Sequence, residues 1–158
     1  MSISLFLIGS LFLAIFILPV IYIHRVQKNK SKLFLKHFAS VAAKNQVKIT
    51  NSDIWNSNNC IGIDTNSNKL FTLIKKDNLE DTNLIDLQDV SQCNVSETYR
   101  KTKGNKHDNI TERVDLILGF KNGSKETINF FNLNDNSFLS DEHSLAQKWT
   151  DIINTQIQ

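Results

Sequence analysis

Apolar positions run unbroken at the start of the chain and then change period twice. From Ile3 to Ile23, twenty-one consecutive residues carry no charge. As a helix rising about 1.5 Å per residue, this stretch is roughly 31 Å long, the thickness of a bilayer's hydrocarbon core, and it reads as a membrane span. A cleaved secretory signal fits it poorly. Only Met1 and Ser2 precede the run, and it ends in Tyr22-Ile23-His24-Arg25 rather than in small residues.

Between Asn29 and Gln46 the period becomes helical. Phe34, Phe38, Val41 and Ala42 recur at i, i+4, i+7 and i+8, Leu35 and Ala39 widen the stripe, and neither Gly nor Pro interrupts it. This amphipathic helix has three placements open to it: continuing the span outward, lying on headgroups with its phenylalanines down, or packing on the domain that follows. Residues 47–51 read as a connector.

From Ser52 the period is two. Cys60-Ile61-Gly62-Ile63-Asp64, the turn cluster Thr65 to Asn68 and Lys69 to Lys75 make a hairpin. After a polar loop from Lys76 to Thr82, Leu84 to Val90 is a strand with Ile85 and Leu87 inward. Gln92 to Tyr99 is another, and Arg100 to Asn109 is a long polar loop. Val114, Leu116, Leu118 and Phe120 alternate, Lys121-Asn122-Gly123-Ser124 turns the chain, and Ile128 and Phe130 return. Ile54-Trp55 is a candidate edge strand, giving six strands and a seventh. Ser140 or Asp141 then caps a last helix, in which Leu145, Trp149, Ile152, Ile153 and Ile157 form one stripe that needs a sheet beneath it.

Charge assigns a side to each part. Seven of the 18 basic residues lie between His24 and Lys48 with no acid among them, so the remaining eleven face all 16 acids and the rest of the chain carries −5. Arg25, Lys28, Lys30, Lys32 and Lys36 directly follow the span, which by the positive-inside rule puts the amino terminus outside and the domain in the cytoplasm. The localisation expected is therefore the inner or plasma membrane, single-pass. An acidic domain argues against nucleic acid as a partner. The basic flank could also hold anionic headgroups, at about 1 kcal/mol per residue near the surface.

Two cysteines, Cys60 and Cys93, make no disulfide framework and read as small buried residues, although an even pair leaves a bond open. On the other side of a membrane, Asn94-Val-Ser96, Asn109-Ile-Thr111 and Asn122-Gly-Ser124 would become glycan acceptors. Catalytic patterns are missing: there is no Gly-x-Ser-x-Gly elbow, no phosphate-cradling loop, and no room among five glycines for a dinucleotide fingerprint. His24, His37, His107 and His143 have neither the mutual spacing nor the cysteine neighbours of a metal site. Asp64, Asp86 and Asp89 are the carboxylates nearest apolar positions, and turn or edge roles suit them better than acid–base work. Neither catalysis nor a cofactor is expected.

The order of elements, together with Ile61-Gly62-Ile63-Asp64, Ile85-Asp86-Leu87 and Ala146-Gln147-Lys148-Trp149, resembles the pleckstrin-homology-like domains of small membrane-tethered bacterial proteins. The resemblance covers residues 52–158. It implies a bent antiparallel sandwich closed by a C-terminal helix, used as a binding or scaffolding module. Three regions follow: an anchor at 1–24, a basic amphipathic juxtamembrane segment at 25–51, and a mainly β, α+β domain at 52–158. The function expected is a non-catalytic adaptor that binds a protein partner at the membrane. A lipid-binding module is the alternative, with Arg100, Lys101, Lys103 and Lys106 joining the five bases of the flank. In that family the lipid loop lies in the first hairpin, whereas these four fall between the fifth and sixth strands, and the turn Thr65 to Asn68 is uncharged. An unrecognised enzyme is a third reading, and it requires a pocket with shifted titratable groups.

Overall fold

The computed structural model describes residues 3–76, 79–101, 109–135 and 140–157, and of these the side chains other than those of 3–14, 101 and 109. A single helix, α1 (Ile3–Lys44), is followed by β1 (Asn51–Trp55), β2 (Asn59–Asp64), β3 (Lys69–Lys76) and β4 (Leu79–Asp86). Then come β5 (Val90–Lys101), β6 (Asn109–Phe120), β7 (Lys125–Asn132) and a closing helix, α2 (Glu142–Gln156). All pairings are antiparallel between sequence neighbours, giving a four-stranded sheet β1-β2-β3-β4 and a three-stranded sheet β5-β6-β7.

The two sheets and α2 enclose the main core. Ile61, Ile63, Leu70 and Ile85 from the first sheet meet Val114, Leu116, Leu118 and Phe130 from the second, and Ala146, Trp149 and Ile153 of α2 cover them. Trp149 is completely buried and its indole N–H donates to Asp53 Oδ2 at 3.0 Å, so its one polar atom is satisfied. Across the sheets, Trp55 stacks on Phe130 with ring centroids 4.7 Å apart.

A second core lies on the opposite face of the first sheet. There Phe38, Ala42 and Val47 pack on Cys60, Phe71 and Leu73, with Phe34, Leu35, Val41, Ile49 and Ile54 at the margin. The stripe of the juxtamembrane helix is therefore spent on the domain, and the same helix runs on toward the amino terminus without a break. Of its three open placements, packing on the domain is realised, and the helix is continuous with the uncharged stretch before it. Phe34 and Phe38, packed against the sheet, are not directed at headgroups. Because β2 and β3 are covered on both faces, they read as nearly continuous apolar runs rather than as alternating ones.

The helix stops without Gly or Pro. Gln46 takes a left-handed conformation (φ 61°), while its N–H bonds Ala43 O and that of Val47 bonds Ala42 O, the paired bonds of a Schellman cap. Val47, the residue after the cap, is then buried in the second core.

Three expectations need correction. Ile54-Trp55 is in an edge strand, as expected, but that strand runs from Asn51, so the first hairpin turns at Asn56 to Asn58 and Thr65 to Asn68 is the second turn rather than the first. Residues 79–82, expected as loop, pair with β3 residue by residue; an edge strand needs only its backbone for that. Leu84 to Val90 is not one strand: the Asp86 side chain accepts from Gln88 N at 2.9 Å and turns Leu87–Asp89 into a 3-10 turn that passes the chain to the second sheet. Among the described residues no helix is long and apolar enough to cross a membrane. The side chains of 3–14, more than half of the expected span, lie outside them.

Candidate functional site

The junction of α1 with the first sheet is the most built feature outside the main core. Its centre is Gly62 on β2. A Cβ there would stand 2.7 Å from Phe38 Cε1 and 3.1 Å from Ile49 Cδ1, so only glycine lets the phenylalanine ring lie on the strand. Phe38 in turn meets Phe71, with ring centroids 5.5 Å apart.

Asp64 ties the junction together. Its Oδ2 accepts from Lys48 N at 3.0 Å, in the connector after α1, while Oδ1 accepts from Asn66 N and Ser67 N at 3.0 and 3.2 Å, in the turn after β2. These bonds, that of Lys48 foremost, favour the carboxylate and lower its pKa to about 2. A group depressed in the folded state contributes stability that is complete above its ordinary pKa, 3.8, and is lost as pH falls through about 2. Asp64→Asn is therefore expected to flatten the dependence of unfolding free energy on pH between about 4 and 2 and to leave its slope above pH 5 unchanged. Denaturant titrations across that range measure it.

The bases expected to meet lipid are placed as follows. Arg25, Lys28, Lys30, Lys32 and Lys36 are all exposed on α1. Arg100 is engaged by Glu112, to which its Nε donates at 3.1 Å. Lys103 and Lys106 lie outside the described residues, as does the side chain of Lys101. The structure thus gathers the flank along one helix and brings no described base of the β5–β6 connection to it.

Asp64 and Asp86 stand at the same end of the first sheet, on either side of Lys69, with which both are in register, while Asp89 ends the 3-10 turn. Each of the first two carboxylates is spent on backbone N–H groups of its own turn, Asp64 on Asn66 and Ser67 and Asp86 on Gln88. Burial pushes the Cys93 thiol up to about 11, and burial with the nearby Asp53 charge pushes Cys60 up to about 12; both are free thiols. The Tyr99 hydroxyl, bonded to Glu97, is held above its ordinary pKa. None of these four shifted groups lines the surface clefts at Gln27–Asn58 or Asp89–Glu126. Among the described residues no three His, Cys, Asp or Glu side chains are grouped to hold a metal ion.

Sequence reasoning missed Gly62. A glycine inside an otherwise apolar strand is the signal that pointed to it. No protein-family model, no curated protein and no solved structure matches this chain.

Proposed function

We propose that the protein is a single-span, membrane-anchored, non-catalytic adaptor, whose domain is carried at the membrane by α1 and binds a protein partner there. One observation carries the reading. From Ile15 to Ile23 large apolar side chains on every side of the helix are open, among them Phe16 at 72 %, Leu18 at 64 % and Tyr22 at 70 % exposed, with no part of the domain covering them. A helix apolar all round requires an apolar environment, and in sequence the uncharged run extends back to Ile3. The bases that follow support a cytoplasmic domain by the positive-inside rule.

The order of four and three antiparallel strands and a closing helix supports the pleckstrin-homology-like reading of the domain. By analogy that favours binding over catalysis. A lipid-binding role has the exposed flank in its favour and the engaged Arg100 against it.

Alkaline carbonate washing of membranes from cells making the full chain tests the anchor. The chain is expected to stay in the pellet and to enter the wash when Ile17 and Leu18 are both replaced by lysine. External protease is expected to leave the domain whole in intact cells. Recovery of the unaltered chain in the wash overturns the anchor; digestion from outside overturns the orientation.

A further inference from the structure

A seven-stranded sandwich with two separate sheets has four edges, and at three of these, β7, β1 and β5, side chains of a neighbouring strand or of α2 are bonded to the edge strand. On β7, the carbonyls of Asn129 and Phe130 accept from Trp55 Nε1 at 3.3 Å and Asn56 Nδ2 at 3.1 Å, which also brings β1 against β7. On β1, Asp53 is held by Lys148 Nζ at 2.7 Å and by Trp149 of α2. On β5, Asn154 of α2 imitates a strand: its Oδ1 accepts from Cys93 N at 3.0 Å and its Nδ2 donates to Cys93 O at 2.9 Å.

The fourth edge, β4, has side-chain ties on its two faces, Glu80 Oε2 to His37 Nε2 of α1 at 2.8 Å and Asn83 Nδ2 to Glu126 of β7, but its outward backbone is open. Leu87 N bonds Asn68 O at 2.8 Å, and the β3–β4 register continues without a shift from there to Leu79. Alternation along an antiparallel ladder then turns the N–H and C=O of Glu80, Thr82 and Leu84 away from β3. No hydrogen bond from another described element reaches those backbone groups. Its leucine side chains are open as well, with Leu79 at 76 % and Leu84 at 41 % exposure. An unprotected edge with exposed leucines is what proteins otherwise avoid, since it templates pairing with another chain.

We propose that Leu79–Leu84 is a docking edge for an extended, basic segment of a partner protein, which adds a strand beside β4. The proposal rests on the adaptor reading and names its binding surface. Charge chooses the occupant. Leu84 and Thr82 pair with Phe71 and Leu73, which face α1, so Glu80, Thr82 and Leu84 share that face and Leu79, Asp81 and Asn83 the other. An added strand therefore meets one carboxylate on each face at successive positions, Asp81 and Glu80, the latter shared with His37 Nε2 of α1 at 2.8 Å, and an apolar surface at Leu84. Two adjacent basic residues followed by β-branched ones match it. A second copy of this chain matches less well, because antiparallel pairing of β4 with itself about Thr82 sets Glu80 against Leu84 and Asp81 against Asn83, so that neither carboxylate meets a base.

The test uses the full chain in detergent and two labelled peptides, Thr-Lys-Arg-Thr-Val-Ile-Thr and its reversed twin Thr-Glu-Asp-Thr-Val-Ile-Thr. The basic peptide is expected to bind at least tenfold more tightly than its twin, and Glu80→Lys with Asp81→Lys to invert that preference. Thr82→Pro removes an outward donor but no bond to β3, so it is expected to cut binding at least tenfold with little change in melting temperature. Should that proline disturb folding, the two exposed charge reversals decide alone. Equal binding of the twins, or binding indifferent to both sets of changes, overturns the proposal, as does a dimer that Thr82→Pro dissolves. A chain that binds the basic peptide as described yet washes off membranes leaves the edge standing and removes only the anchor.

Discussion

Trp149→Ala lowers the stability of the sandwich by about 3–5 kcal/mol, the range for deleting a fully buried aromatic ring. The residue is wholly buried, where α2 meets strands of both sheets. Its loss opens a cavity between Ala146, Ile153 and the inner faces, and strips Asp53 of one of its two partners. Since α2 also closes the β5 edge through Asn154, loosening the helix exposes a second edge. Urea unfolding followed by Trp55 fluorescence measures the loss. A change below about 1 kcal/mol is too small for a docked helix.

Phe38→Ala is expected to cost a similar 3–5 kcal/mol, but in the second core. Its logic is checked by a partner change. Gly62→Ala in the natural chain puts a methyl into the ring of Phe38 and is expected to destabilise by about 1–3 kcal/mol. With Phe38 already alanine, the 2.7 Å and 3.0 Å overlaps are gone and the 3.1 Å contact to Ile49 remains. Most of the Gly62→Ala cost should then vanish, a coupling that two residues in direct contact show and two distant ones do not.

Much of this architecture is legible in the residues. The β6–β7 hairpin follows from strict alternation and from Gly123, which sits at φ 86° in the turn. The α2 stripe follows from its spacing, although Ala146 and Thr150 are buried more deeply than Leu145 and Ile152 at its margin. What was hidden lies at the edges. β1 has only Ile54 and Trp55 as apolar residues, and the polar first half of β4 reads as loop because an edge strand's side chains stay in water while its backbone pairs. The docked helix was half visible: Leu70 to Ile74 is too continuously apolar for a strand with one wet face, which calls for a cover on both sides. Nothing in that run says the cover is α1. Only the fit of Phe38 to the missing side chain of Gly62 does, and it depends on two positions twenty-four residues apart.

The candidate site was less legible for a physical reason. The basic flank advertises itself by charge alone, whereas an open edge is a property of pairing. It cannot be recognised until the bonding at the other three edges is seen.

Cys60 offers a direct probe of the helix seated on its sheet. Its thiol lies beneath α1, is fully buried, and is held at a pKa of about 12, so neither access nor ionisation favours its reaction. Alkylation of Cys60 in the native full-length chain is expected to run at least about a hundredfold slower than in the urea-unfolded chain, the factor set by an opening cost of about 2.8 kcal/mol. Phe38→Ala should remove most of that protection while Cys93, under α2, keeps its own. Native Cys60 reacting as fast as the unfolded thiol would mean that α1 does not rest on the domain.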